Sequence, residues 1–252
     1  FAAYDNPKKI IFEYTDLKSE PHEIKVKNIN PYLLEGKDNF VTKRRTPICK
    51  VQEMIKGSMP NDGGFYLFTK EEKEDFIKKE PLSKKFFRKF IGGYEFLNNI
   101  ERFCLWLVDA KPDELKKLPL IMNRIDAVKK IRLESNRVTT KRDANTPTLF
   151  GEIRQPKSNY LAIPEVSSEN RYYIPVGYVE KDTIASNKVY MLPEASLYSF
   201  GILCSTMHNA WIRQISGRMK SDISYSTGIV YNNFPWPKEL NDKQIKSIET
   251  KA

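Results

Sequence analysis

Hydrophobic and polar positions alternate along this chain with two different periods, and the switches between them outline the elements. Lys9–Tyr14 and Glu23–Lys27 alternate as short strands do, around a turn at Lys18-Ser-Glu-Pro21. Asn61-Asp-Gly-Gly64 is a turn signal. Thr69 followed by Glu72 forms a capping box and predicts an amphipathic helix to Lys79. Lys84–Phe90 reads as a second short helix ending at Gly92-Gly93, and Phe103–Val108 as a strand buried on both sides. Pro112-Asp113-Glu114 suits the first turn of the longest helix, where amides are free and the dipole is positive. Its apolar residues Leu118, Ile121, Ile125, Val128 and Ile131 keep helical spacing, and a Thr-rich loop follows Arg137. Strands are expected at Tyr160–Val166, Tyr172–Tyr178 and Val189–Leu192. A helix from about Glu194 to Ile215 carries Leu197, Phe200, Cys204, Met207, Trp211 and Ile215 on one face, with Gly217 placed to cap it. After Pro237 another helix begins. The fold class is α+β, with a mixed or antiparallel sheet and several flanking helices.

One stretch breaks this pattern of buried faces. In GRMKSDISYSTGIVYNNFPWP (217–237), Lys220, Asp222 and Ser224 occupy every second position after a Gly-Arg break. In an extended strand those three side chains project from one face. A cation, an anion and a hydroxyl side by side form either a solvated strand face or a reader of something that offers acceptors and a donor together.

Charge narrows the choice. The 252 residues contain 42 Lys+Arg against 32 Asp+Glu, a net charge of +10, which predicts attraction to polyanions, nucleic acid first and anionic membrane second. From Arg124 to Lys157 there are nine Lys/Arg against four Asp/Glu. Cys49, Cys104 and Cys204 are widely separated among apolar neighbours, which suits free thiols in a reducing compartment; with only His22 and His208 they give no usual zinc spacing. No run of 18 apolar residues and no signal-peptide pattern occurs, so a soluble cytoplasmic protein without a membrane partner is expected. Opening at Phe1 and closing in helical composition, the chain reads as a piece of something longer.

A search for catalytic chemistry returns little. Pro112-Asp-Glu-Leu-Lys116 superficially matches a PD…ExK nuclease, but that site gathers its carboxylates and lysine from separate strands around Mg²⁺, whereas these are consecutive at a helix start. Asn232-Asn-Phe-Pro-Trp-Pro237 lacks the Asn-Pro-Pro order of amino-methyltransferases, and packing of Phe234 and Trp236 is expected instead. There is no glycine-rich cofactor loop, no nucleophile–base set, and no metal or cofactor set. His208 is read as a helix-surface residue. Ser167–Arg171 is read as a turn in which Asn170 and Arg171 are able to contact phosphate, and the Lys43-Arg44-Arg45 loop likewise. Groove chemistry gives the sharper reading of the 220–224 pattern: guanine offers O6 and N7 acceptors to a lysine, and its partner cytosine offers an N4 amino group to an aspartate.

Long blocks across most of the chain carry a resemblance to the MmeI-like family of single-chain restriction–modification enzymes. They include EIKVKNINPYL (23–33), CKVQEMIKGSMPNDGG (49–64), FIGGYEFLN (90–98), RFCLWLV (102–108), TPTLFGEIRQP (146–156), IPEVSSENRYYIPVGY (163–178), LYSFGILCSTMHNAWIRQISGRMKSDISYS (197–226) and VYNNFPWP (230–237). The resemblance implies a target recognition domain over residues 36–237, a lead-in over 1–35 from an upstream methyltransferase domain, and the start of a C-terminal helical segment over 238–252. It implies double-stranded DNA as partner and, for the parent chain alone, S-adenosylmethionine and Mg²⁺. It further implies that the positions of Lys220, Asp222 and Ser224 select bases, with a position near Lys188 cooperating with Ser224. Arg213, Arg218, Lys43, Arg44, Arg45, Asn170 and Arg171 are the expected phosphate contacts. Alternatives are Mg-dependent cleavage by the chain itself and a basic scaffold for RNA or acidic protein.

Overall fold

A single segment, residues 184–193, serves two sheets at once and decides how the halves of the molecule meet. The computed structural model describes residues 8–16 and 18–252, so the start of the 1–35 lead-in lies outside the described residues. Ile184–Ala185 pairs in parallel with Phe87–Ile91, at the edge of a sheet that continues antiparallel through Phe103–Leu105 to Leu67–Phe68. Val189–Pro193 then lies between Ile55–Lys56 and Tyr160–Pro164 in a second, antiparallel sheet that ends at Gly177–Val179. The backbones meet closely here: a Cβ on Gly57 would fall 2.2 Å from the Ser186 carbonyl oxygen, so the crossing admits only glycine.

The second sheet has both faces buried, which is why its strands read as continuous apolar runs. Leu161, Ile163, Tyr190 and Leu192 face one core, shared with Ile202, Ile212, Ile223, Tyr225, Tyr231 and Trp236. Tyr160, Ala162, Val189 and Met191 face the other way, with Ala185. Register Tyr190↔Ile163 and Met191↔Ala162 keeps the two sets apart. A slip of one residue would exchange them. The first sheet supports an aromatic core in which Phe68, Phe76 and Phe87 meet edge to face at 5.1–5.6 Å.

Several elements match the expectations. Lys9–Glu13 and His22–Val26 form an antiparallel hairpin, and Thr69 and Glu72 cap Lys70–Lys79 reciprocally. Phe234 and Trp236 are buried, and the three cysteines are free thiols. Burial pushes the thiols of Cys104 and Cys204 above their ordinary range.

Others differ for physical reasons. Lys84–Phe90 is not a helix: a 3₁₀ turn Pro81–Phe86 leads into strand Phe87–Ile91, because Phe87 and Phe90 are needed in the core. Pro112 opens only a single turn to Leu115, and Pro119 starts the long helix Pro119–Glu134 afresh. The Thr-rich stretch holds a short helix, Val138–Asp143. The expected helix over 194–215 is two helices, Leu197–Leu203 and Thr206–Ile215; the Ser205 hydroxyl accepts the His208 amide and caps the second. That break turns Met207 outward and His208 inward. Gly217 does not cap: Ser216 leaves the helix in extended conformation and Gly217 begins a strand. Tyr172 and Tyr173 are exposed, the strand starting only at Gly177. No described helix is long and apolar enough to cross a membrane.

The buried charge in the long helix has a clear task. Arg132 is 1% exposed, and all five of its N–H groups donate to backbone carbonyls: Asn61 (2.9 Å), Pro60 (3.1 Å), Asp143 (3.0 Å), Thr146 (3.2 Å) and Leu149 (2.8 Å). Burial lowers its pKa. The guanidinium replaces water for two loops that no ladder satisfies. Arg132→Met therefore removes five hydrogen bonds from interior carbonyls, of which those of Pro60, Asp143 and Thr146 keep a backbone donor. Urea unfolding is expected to show a loss of about 3–5 kcal/mol, with Arg132→Lys recovering only part of it.

Candidate nucleic-acid interface

The 217–224 hairpin emerges directly from helix Thr206–Ile215 and forms a small antiparallel sheet, Gly217–Met219 with Asp222–Ser224 with Val166–Ser167. Its alternation is sharp: Ile223 and Tyr225 are each 1% exposed and point into the core, while Asp222 and Ser224 point the other way. Pairing puts Met219 opposite Asp222 and Gly217 opposite Ser224, so these four share one face. Lys220 is not in the strand as expected. It is the first residue of the two-residue loop, with φ +58°, where hairpins ordinarily carry glycine or asparagine. Only Asp222 and Ser224 are aligned by strand alternation; Lys220 stands exposed at the tip in front of them.

Met219 and Asp222 of this face line a cleft of about 670 Å³ that also receives Tyr94, Glu165, Arg171 and Lys188; Ser224 and Lys220 lie outside its lining. The far wall comes from the other sheet: Tyr94, 69% exposed, sits in helix Gly93–Asn98, whose first turn is held by a Gly92 amide donating to Glu95 Oε2 at 2.9 Å. Glu165 interrupts the apolar run Tyr160–Val166. Its carboxylate accepts from Lys56 Nζ at 2.6 Å and from Lys188 Nζ at 3.0 Å. Burial alone would raise its pKa, but the two ammonium groups hold it below the ordinary carboxylate value. The Glu165 backbone ties the same place together, donating to the Lys188 carbonyl (2.9 Å) and accepting from the Tyr225 amide (2.8 Å). Lys188 and the hairpin are thus brought together, with Glu165 between them.

The expected phosphate contacts divide into two groups. Arg213 and Arg218 are exposed beside the hairpin, but each guanidinium already donates to backbone: Arg213 to the carbonyls of Arg171 (2.5 Å) and Tyr172 (3.1 Å), Arg218 to that of Arg213 (3.1 Å). Arg213 thereby braces the loop carrying Asn170 and Arg171, and Arg218 the end of the helix. The Glu169 amide donates to Asp222 Oδ1 at 3.3 Å and joins that loop to the hairpin. Lys43, Arg44 and Arg45 are not in the cleft lining; their loop is strapped to residues 228–233, the Arg44 amide donating to the Gly228 carbonyl (2.9 Å) and Arg44 Nε to Asn233 Oδ1 (3.0 Å). Among the described residues no group of three or more His, Cys, Asp or Glu is placed to hold a metal ion.

The sequence reading missed Glu165, Lys56, Tyr94 and Met219. A charge within an apolar strand was the available signal for Glu165. Met219 depends on the hairpin register, Lys56 on its strand pairing beside Val189–Pro193, and Tyr94 on the packing of its helix against the cleft.

Comparison with known proteins now bears on this cleft. The family described as "MmeI, target recognition domain" matches residues 35–238. The chain belongs to that family. The MmeI target recognition domain is also what the fold resembles: a structure of "Type IIL restriction-modification enzyme MmeI in complex with DNA" superposes with a TM-score of 0.93 at 48% identity, over 98% of this chain and 33% of that one. "DNA methyltransferase A" of Bacillus subtilis (strain 168) is 43% identical over 224 residues, 89% of this chain and 25% of that protein. The chain therefore spans a quarter to a third of these two relatives.

His208 corrects the surface reading and shows how the MmeI-type hairpin is rooted. It is 1% exposed; Nδ1–H donates to the Leu203 carbonyl at 2.7 Å, and the Tyr225 hydroxyl lies 3.5 Å from Nε2. Burial pushes its pKa down to about 4 from an ordinary 6.5. A base whose folded pKa is depressed contributes stability above the unfolded value and loses it on acidification. Between pH 6.5 and 4, wild type is expected to lose roughly 3 kcal/mol on this account. In His208→Gln that part of the pH dependence disappears, as denaturant melts across the range would show.

Proposed function

We propose that this chain is the duplex-DNA recognition module of a single-chain restriction–modification enzyme, and that it reads bases in the major groove with the 217–224 hairpin. The observation that carries the reading is the placement of one cation and one anion at the end of a β-hairpin whose base is paired to Val166–Ser167: Lys220 at its tip and Asp222 on its cleft face, with Arg171 and Lys188 beside Asp222. A two-stranded ribbon fits the wide groove of B-DNA. The two bases of a pair lie side by side across that groove. A lysine reaching forward meets guanine O6 and N7, and an aspartate behind it accepts from cytosine N4, each contact discriminating by ~1–3 kcal/mol. Ser224 and Lys188 serve neighbouring positions. Arg213, Arg218, Asn170, Arg171 and the Lys43–Arg45 loop contact or present groups to phosphates, setting register without carrying sequence.

The domain occupies residues 36–237, between a lead-in from the methyltransferase at 1–35 and a helical segment from 238. Chemistry belongs to the rest of the parent chain: adenine-N6 methylation from S-adenosylmethionine by an upstream domain in cis, and Mg²⁺-dependent cleavage by a nuclease domain. The module itself supplies address rather than reaction.

Exchanging the two charges tests this directly. Lys220→Glu with Asp222→Arg in the complete enzyme is expected to move methylation from sites with G at one position to sites with C there, as modification-sensitive sequencing of host DNA would report. An unchanged motif removes both residues from the reader. Lys43→Ala with Arg44→Ala is expected to weaken binding to all sequences alike and to flatten the salt dependence, each lost phosphate contact lowering the slope of log K against log salt by about 0.9.

A further inference from the structure

We infer that Gly217 is a notch in the hairpin face against which the DNA sugar–phosphate backbone lies, an inference that rests on the hairpin's facing DNA. Glycine weakens a strand, so its presence in one asks for a cause: a bulge, a positive φ, or close approach by another backbone or a ligand. The eleven glycines of this chain can be sorted by those causes. Gly36, Gly63 and Gly64 have positive φ. Gly57, Gly92, Gly151, Gly177, Gly201 and Gly228 would each bring a Cβ within 3.4 Å of protein atoms, and Gly93 would make ordinary contact with the Lys188 carbonyl at 3.5 Å. Of those in strands, Gly217 has none of these causes: its φ is not positive, its pairing with Ser224 is unbulged, and among the described residues a Cβ there would meet nothing within 4 Å. Gly93, also without a close contact, opens a helix.

Folding therefore gives no reason for this glycine. Helix capping does not either, since Ser216 has already left the helix in extended conformation. What Gly217 does is leave a gap on the face it shares with Met219, Asp222 and Ser224, opposite Ser224 in the register. Arg218 follows it in the chain, exposed at the same hairpin edge, and its guanidinium donates to the carbonyl of Arg213. A surface that is open and backbone-lined, on a hairpin tipped by Lys220, suits a polyanionic strand running past it at van der Waals distance. A Cβ there would collide with the ligand and with nothing else.

The test uses the complete enzyme carrying Gly217→Ala or Gly217→Val. Melting temperature is expected to stay level or rise, because a residue with fewer unfolded conformations replaces glycine at a compatible position. Affinity for a duplex bearing the enzyme's own methylation site is expected to fall several-fold with Ala and further with Val. The slope of log K against log salt is expected to stay unchanged, since no charged contact is removed. Wild-type affinity in the Val variant would overturn the inference, as would a lowered melting temperature, which would make the glycine a folding requirement, or a reduced salt slope, which would point to displaced arginines. If wild-type enzyme itself shows no preference for its site over other duplexes, it is the DNA reading of the hairpin that fails, whatever Gly217 does.

Discussion

The alternation Asp222–Ile223–Ser224–Tyr225 is the constraint on which the reading face depends. Ile223 and Tyr225 are buried among Leu161, Ile163, Tyr190 and Tyr231, and the Tyr225 amide is fixed to the Glu165 carbonyl. Full burial of side chains of this size is worth about 1.5–3 kcal/mol each. The polar residues between them have no freedom to choose a face, because turning Asp222 inward would turn Ile223 out. A short hairpin alone in water is marginal. Here the core holds the strand, and the strand aims the polar groups.

Lys220 shows the opposite arrangement. A lysine at φ +58° is in a backbone region that costs a non-glycine residue of order 1 kcal/mol or more. Glycine would be easier for the turn, yet would have no side chain to present. The strain fits a position kept for what its side chain touches, and a flexible four-carbon stem at a loop tip can follow a base edge that a strand-bound residue cannot reach.

What was legible in the sequence follows from which forces are local. The Thr69–Glu72 capping box is made within four residues, and it formed as read. The apolar run 160–164 is a strand because period and burial agree. By contrast, KKFFRKF carries a helical distribution of charge, and tertiary demand for Phe87 and Phe90 in the aromatic core overrode it. The helix over 194–215 was read as continuous because its apolar spacing runs through Cys204. The break lies in a serine cap, a small signal beside a strong periodicity. The same break explains the misplacement of His208. For the cleft, proximity in sequence revealed Asp222 and Ser224, while Tyr94 and Lys56 are contributed by segments more than a hundred residues away.

Carboxylates placed in the cleft of a basic chain complete the logic: Glu95, Glu165 and Asp222 line it together with Arg102, Arg171 and Lys188. A net charge of +10 favours any polyanion alike and says nothing about sequence. Asp222 and Glu165 work against that general attraction, and the structure treats them differently. Glu165 is neutralised by Lys56 and Lys188, so it organises two cations and adds little repulsion. Among the described residues the Asp222 carboxylate accepts from the Glu169 amide alone, which leaves it acceptor capacity for the proposed base contact. Opposite a cytosine amino group it gains a hydrogen bond. Opposite guanine O6 and N7 it meets acceptors, with no proton between them and the phosphates close by. A lysine in its place would bind most sequences acceptably, since both purines and thymine offer acceptors in the major groove. On the proposed reading the anion would discriminate because its wrong partners repel it, and a specific module on a strongly basic scaffold needs that penalty more than it needs another attraction.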